Sequence, residues 1–245
     1  KSKALVGTKC GEIWEISDEA RLLVEAHGKG ELWGLAIHPS DPHKLATCSD
    51  DGTVRLWNIT PGKGREVYAR AWPRKEDAKK IENSSFDTGC VRSVAWHPDA
   101  PVCATLGSDG WVRLCDAERR AHIAAEDVGA GTAGRSVAVS GDGKLLAAGF
   151  ADGRVAVLRA RTLEALAETT PVARERHHKK REPGWSESAR APGGARVEAL
   201  AFSPDSALLA AAGADRAVRV FANVAGAFAL VATCAGHSAT VRALD

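Results

Sequence analysis

At 245 residues, 44% apolar and 26% charged, the chain has the composition of a globular protein and not of a disordered or collagenous one. A formal net charge of +2 argues against a nucleic-acid binder that works by bulk electrostatics. No apolar run approaches the roughly eighteen residues that a membrane helix needs, and residues 1–11 have no signal-peptide core, so the chain reads as soluble and unexported.

Residues 3–16 (KALVGTKCGEIWEI) predict two strands about a glycine turn, and residues 20–26 (ARLLVEA) an outer strand that ends at His27-Gly28. Residues 32–37 (LWGLAI) alternate and stop at His38-Pro39, where proline ends the ladder. Residues 43–57 (HKLATCSDDGTVRLW) then read as strand, Asp-Gly turn and strand, a strong short-range hairpin signal.

The same grammar returns at 102–115 (VCATLGSDGWVRLC), 145–158 (LLAAGFADGRVAVL) and 208–221 (LLAAAGADRAVRVF). In all four an Asp (Asp51, Asp109, Asp152, Asp215) stands six residues before the last strand residue. Gly11 aligns with Gly52 and Cys10 with Asp51, so residues 3–16 are an earlier copy without the Asp. First strands equivalent to 32–37 are expected at 91–96, 136–139, 197–202 and 241–244. Asp109 and Asp152 lie 43 residues apart, and the longer spacings come from insertions at 61–89 and 170–195. A period of about 40–45 residues with four strands per repeat is that of a β-propeller blade of the WD type.

The fold expected is therefore all-β, a propeller or propeller segment over 1–245. Complete blades are placed at 27–75, 90–130, 134–170 and 196–235, with a partial blade at 1–26. Residues 236–245 are the first strand of a further one. Ring closure through 238–244 and 4–26 would give only five blades. Together with the absence of any Met, that favours a chain that is part of something longer. The Ala-rich units at 147–148 and 210–212 bury less apolar area, so the third and fourth blades are expected to be the less stable ones.

The repeats resemble the WD40 family over essentially the whole chain. The first blade matches that family's hydrogen-bonded set with His27, Thr47, Asp51 and Trp57. The second keeps Thr105 and Asp109 but has Cys115 for Trp, and the later two keep only Asp152 and Asp215, which turn amides are expected to satisfy. The run GELWGLAIHPS (30–40), preceded by LVGTKCGEIWEI, resembles the echinoderm-microtubule-associated-protein-like (EML) family. That resemblance implies a non-enzymatic scaffold in the cytoplasm, on the cytoskeleton or in a ciliary axoneme, binding tubulin, microtubules or a microtubule-associated partner. A generic adaptor propeller in a signalling or ubiquitin-ligase complex is the alternative.

The insertions carry a net charge of +2 (61–89) and +3 (170–195), leaving the remainder near −3. Both join the last strand of one blade to the first strand of the next, so they should crown one face. Candidate partner contacts are Arg74, Lys75, Lys79 and Lys80 in the first. In the second they are Arg174, Arg176, Lys179, Lys180, Arg181 and, as aromatic anchor, Trp185. His27 and His237 precede first strands and read as structural. Trp33 and Trp96 read as core. No cofactor, metal site, nucleic acid, membrane or small-molecule substrate is expected: the six Cys have no C-x-x-C spacing, His177-His178 lacks partners, and no P-loop, dinucleotide fingerprint or nucleophile elbow is present. An enzyme site on the axis would need titratable groups that the first strands (LWGLAI, VRSVAW, SVAV, VEALAF) scarcely offer.

Overall fold

The computed structural model describes residues 4–7, 13–16, 20–24, 27, 31–60, 66–71, 90–169, 195–224 and 227–244. Among them every regular element is a strand, and no helix is long and apolar enough to cross a membrane. Strands β1 (Ala4–Gly7), β2 (Ile13–Ile16) and β3 (Ala20–Val24) form a three-stranded antiparallel sheet. Four four-stranded sheets follow, each a simple antiparallel meander. The first comprises β4 (Leu32–His38), β5 (Asp41–Ser49), β6 (Thr53–Asn58) and β7 (Glu66–Ala71). The second comprises β8 (Val91–Trp96), β9 (Val102–Gly107), β10 (Trp111–Asp116) and β11 (Ala121–Asp127). The third comprises β12 (Gly134–Val139), β13 (Leu145–Phe150), β14 (Val155–Arg159) and β15 (Ala165–Thr169), and the fourth β16 (Val197–Phe202), β17 (Leu208–Gly213), β18 (Ala217–Val224) and β19 (Ala227–Ala235).

The first strand of each sheet packs on the first strand of the next, β4 on β8, β8 on β12 and β12 on β16, which is the arrangement of propeller blades about an axis. Alternation within each strand sends one set of side chains to the preceding sheet and the other to the following one. Three dry clusters result. Ala46, Cys48 and Val54 meet Val94, Trp96 and Cys103 between the first and second sheets. Leu106, Val112 and Leu114 meet Leu146, Phe150 and Leu158 between the second and third. Val155 and Val157 meet Leu200, Leu209 and Phe221 between the third and fourth. Ala147 and Ala148 of the third sheet are fully buried, and Ala148 shares a cluster with Leu146 and Phe150, so bulky neighbours fill what the small residues leave. Polar bonds tie the sheets as well: Trp96 Nε1 donates to the Ala36 carbonyl (3.0 Å), the Val137 amide to Ser93 Oγ (3.1 Å), and His97 Nε2 to the Gly143 carbonyl (2.9 Å).

Two boundaries differ from the sequence expectation. Strand β12 starts at Gly134, two residues before the expected Ser136. Residues 236–244, expected as a first strand, carry none, and the Val241 amide donates instead to the Gly213 carbonyl of the preceding sheet (3.2 Å). A first strand needs the second strand of its own sheet as a ladder partner, and β1, the strand cast for that role, pairs with β2 alone among the described residues.

Gly134 shows how closely the second and third sheets approach. A Cβ placed there would lie 2.4 Å from Leu106 Cγ and 2.5 Å from the Gly107 carbonyl. Gly131, at φ +86°, has nothing within 4 Å, so only its backbone conformation resists a side chain. Urea unfolding should show Gly134→Ala losing about 1–3 kcal/mol, at or above the ~1 kcal/mol left-handed penalty of Gly131→Ala. Indistinguishable midpoints with Gly134→Ala at wild-type stability would mean that the sheets are not packed at this spacing.

Candidate functional site

At the corner of the first sheet four side chains form a directional chain. Trp57 Nε1 donates to Thr47 Oγ1 (2.8 Å), Thr47 Oγ1 lies 2.8 Å from His27 Nε2, and His27 Nδ1 lies 2.9 Å from Asp51 Oδ2. With the Thr47 hydroxyl accepting from the indole, its own proton points to Nε2, which leaves the ring proton on Nδ1 to serve Asp51. The Thr53 amide and hydroxyl close on Asp51 Oδ1 at 2.8 and 2.7 Å. Burial pushes the His27 pKa below its ordinary value, against the pull of Asp51, so the ring is neutral near pH 7. Burial alone would raise Asp51, but the Thr53 bonds and His27 hold its carboxyl below the usual range.

The other three turns answer the same buried carboxylate differently. Asp109 takes the Trp111 amide on Oδ1 (3.1 Å) and the Arg113 guanidinium on Oδ2 (2.6 Å). Asp152 takes the Arg154 amide (3.0 Å) and Arg154 Nε (2.6 Å). Asp215 takes the Ala217 amide (3.3 Å) and pairs with Arg219. Turn amides thus supply one bond each, and an arginine, not further amides, completes Asp152 and Asp215. Thr105 is not joined to Asp109: its hydroxyl donates to the Arg113 carbonyl (3.4 Å). His237 is exposed, and the copy nearest in pattern, 3–16, has Cys10 where an Asp would receive it. The arginines were visible in the sequence at the fourth residue after the Asp (Arg55, Arg113, Arg219), although Arg154 stands at the second.

A second constellation lies on the inner edge. In each first strand the ladder skips one residue, at Trp33, Arg92, Arg135 and Glu198, a β-bulge repeated in four consecutive sheets. A bulge turns its residue out of the in-out alternation. Trp33, expected in the core, is therefore 41% exposed, whereas Trp96 is buried at 8%. The Arg92 guanidinium lies 4.3 Å from the Trp33 ring centroid and 3.3 Å from Asp50 Oδ1, which also accepts from Trp33 Nε1 (2.7 Å). Arg196 Nε and Glu198 Oε1 are 2.5 Å apart. Arg135 forms no hydrogen bond or ion pair among the described residues, and its Nε is buried. Burial pulls its pKa down; Glu198 opposes that, and Arg196 and Arg92 add to it. The inner edge thus holds more titratable groups than the first strands suggested.

Arg74, Lys75, Lys79, Lys80, Arg174, Arg176, Lys179, Lys180, Arg181 and Trp185 lie outside the described residues. No group of three His, Cys, Asp or Glu side chains among the described residues could hold a metal ion. Burial raises the Cys48 thiol to about 12, so it stays protonated and inert. A cavity of about 280 Å³ between the first two sheets is lined by Trp57, Trp96, Leu45 and Leu56, with Lys44 and Glu118 among its polar groups.

Two outcomes follow. Asp109 and Arg113 are 5% and 3% exposed, so Asp109→Ala takes the carboxylate away from a buried cation and should cost ~3–5 kcal/mol in denaturant unfolding. Asp152→Ala should cost less, because Arg154 keeps Glu168 (3.0 Å) and the Gly129 carbonyl (2.8 Å). The reverse order would disprove the pairing. Since the folded pKa values of His27 and His38 lie below their unfolded value of 6.5, their contribution is present above that pH and is lost as pH falls through the folded values. Unfolding free energy measured between about pH 7 and 5 should therefore decline on acidification, less steeply in His27→Gln and less still when His38→Gln is added.

The WD domain, G-beta repeat family matches residues 20–58 and 189–221, and the Cytochrome D1 heme domain matches residues 76–196. His97, Cys103 and Cys115 in the second span are not placed to hold a haem: His97 spends Nε2 on the Gly143 carbonyl and Nδ1 on the Asp99 amide, and Cys103 and Cys115 are buried between sheets. Echinoderm microtubule-associated protein-like 2 of Mus musculus is 34% identical over 56% of this chain and 18% of its own. Coronin-7 of Rattus norvegicus is 29% identical over 55% of this chain and 18% of its own. The probable cytosolic iron-sulfur protein assembly protein Ciao1 of Culex quinquefasciatus is 35% identical over 36% and 22%. The chain thus spans no more than 22% of the length of any of these three relatives. Four sequential meanders stacked by their first strands, turns built on a repeated Asp, and these matches agree: the chain is a WD40-repeat protein with the β-propeller fold, and it resembles the EML family.

Proposed function

We propose that the chain acts as a non-enzymatic WD-repeat scaffold of the EML type that binds tubulin, microtubules or a microtubule-associated partner, on the cytoskeleton and in ciliary axonemes. The observation that carries this reading is 34% identity, over more than half of the chain, to a relative named for microtubule association. The physical motive is charge. The two insertions hold a net +5 on a chain of net +2, and an acidic polymer surface attracts such a body at long range. The connections from β7 to β8 and from β15 to β16 are equivalent steps between consecutive sheets, and this equivalence supports the reading that both basic runs crown one face. The spread of matches over proteins with unlike names favours the second reading, an adaptor whose partner is another protein complex.

Cosedimentation with polymerised tubulin discriminates between them. Binding should be saturable, should weaken with added salt, and should fall several-fold when Arg174, Arg176, Lys179, Lys180 and Arg181 are all changed to Gln. Salt-insensitive binding that the quintuple change leaves intact would remove the basic runs from the mechanism. No cosedimentation at all would favour the adaptor.

A further inference from the structure

The inner edge of the sheets holds three arginines and two acids in one neighbourhood. Arg92 is answered by Asp50 and Arg196 by Glu198. Among the described residues Arg135 has Arg92 and Arg196 as like-charged neighbours, and the one anion that attracts it, Glu198, is already engaged by Arg196. Among the described residues the cluster is therefore one negative charge short. Two of its cations, Arg92 and Arg135, are carried at the bulges of first strands, a device that re-aims a side chain away from its ladder. Trp33, 41% exposed and stacked under Arg92, adds a flat apolar surface at the same edge.

From this arrangement we infer a recognition site for an acidic peptide segment on the inner rim formed by Trp33, Arg92, Arg135 and Glu198: a ligand carboxylate takes the guanidinium of Arg135, and the flanking peptide lies on the Trp33–Arg92 stack. A planar guanidinium with several donors suits a carboxylate, and the partly desolvated setting strengthens the bond. The inference rests on the scaffold reading above for its protein ligand, and it is independent of the basic insertions. A residue kept for binding and not for folding has a signature. Removing an unanswered, mutually repelled cation should stabilise the fold while it destroys the site.

The test is fluorescence anisotropy with a short fluorescein-labelled polyglutamate peptide, run beside thermal unfolding. Wild type should bind saturably. Arg135→Leu should weaken binding by about tenfold or more while Tm stays level or rises by roughly 2–4 °C. Arg159→Ala, at an exposed position paired with Glu164 (2.7 Å), should match wild type in binding. A fall in Tm together with lost binding would make Arg135 a structural residue and overturn the inference, as would wild type that does not bind. Affinity kept in Arg135→Leu but lost in the quintuple Gln variant would assign binding to the insertions, overturning the rim and leaving the microtubule reading standing. Rim-dependent peptide binding without microtubule cosedimentation would do the opposite.

Discussion

A carboxylate taken out of water sits at the turn between the second and third strands of every four-stranded sheet, and the rest of the architecture is arranged to answer it. An unpaired buried charge costs several kcal/mol, a sizeable part of the net stability of a domain. In the first sheet the answer comes from four elements at once. Asp51 holds the Thr53 turn and the His27 ring, His27 holds Thr47 on β5, and Thr47 holds Trp57 on β6. The chain of donors runs in one direction, so each proton has one place to go. In the other four-stranded sheets a single arginine, from the following strand or the residue before it, replaces that relay. Arg113 and Asp109 close within five residues of each other, whereas the first-sheet relay spans residues 27–57. The arginine solution fastens a hairpin; the histidine solution fastens a hairpin to the segment that enters its sheet.

What holds one sheet to the next is different in kind. The facing surfaces are built from Ala, Cys, Val and Gly with Leu and Phe set between, and the second and third sheets, covered on both sides, contain most of the fully buried large side chains. Small residues let backbones approach until Gly134 touches Leu106 and Gly107. Individual sheets of this size have one or two apolar faces and little to bury them against alone, so stability accumulates at the interfaces. The Thr47, Arg55 and Leu35 row is one register line across three strands. A shift of one residue in any strand would send the buried polar set to the wrong side of its sheet.

The hairpins, their spacing and the four Asp positions were legible in the sequence because each depends on local chemistry: alternation, a turn residue, a fixed interval. The relay of His27, Thr47, Asp51 and Trp57 was readable only through its likeness to other WD repeats. Two features escaped. The arginine partners of Asp109 and Asp215 sit on strands and that of Asp152 just before one, and nothing in a pattern of apolar and polar positions says that a buried Arg will find a carboxylate. The bulges are less visible still. LWGLAI and VRSVAW alternate as regular strands do, and only the packing of one innermost strand against the next forces a residue out of the ladder. That is why Trp33 read as core, and why Arg135, one residue upstream of the expected start of β12, was not weighed.

The arginines of this chain therefore fall into two populations. Arg113 and Arg154 lie within hydrogen-bonding distance of carboxylates that folding would otherwise strand, and their geometry is explained by stability alone. Arg135 is held among like charges, partly desolvated, on a strand irregularity that recurs in all four four-stranded sheets, and the acid beside it, Glu198, is engaged by Arg196. A fold that repeatedly recruits arginine to neutralise its turns has the means to neutralise this site too, since Glu198 already stands beside it and is engaged by Arg196. Of the three cations at this edge one lacks a counter-ion within the described chain, so the inner rim carries its imbalance toward whatever approaches along the axis of the sheets.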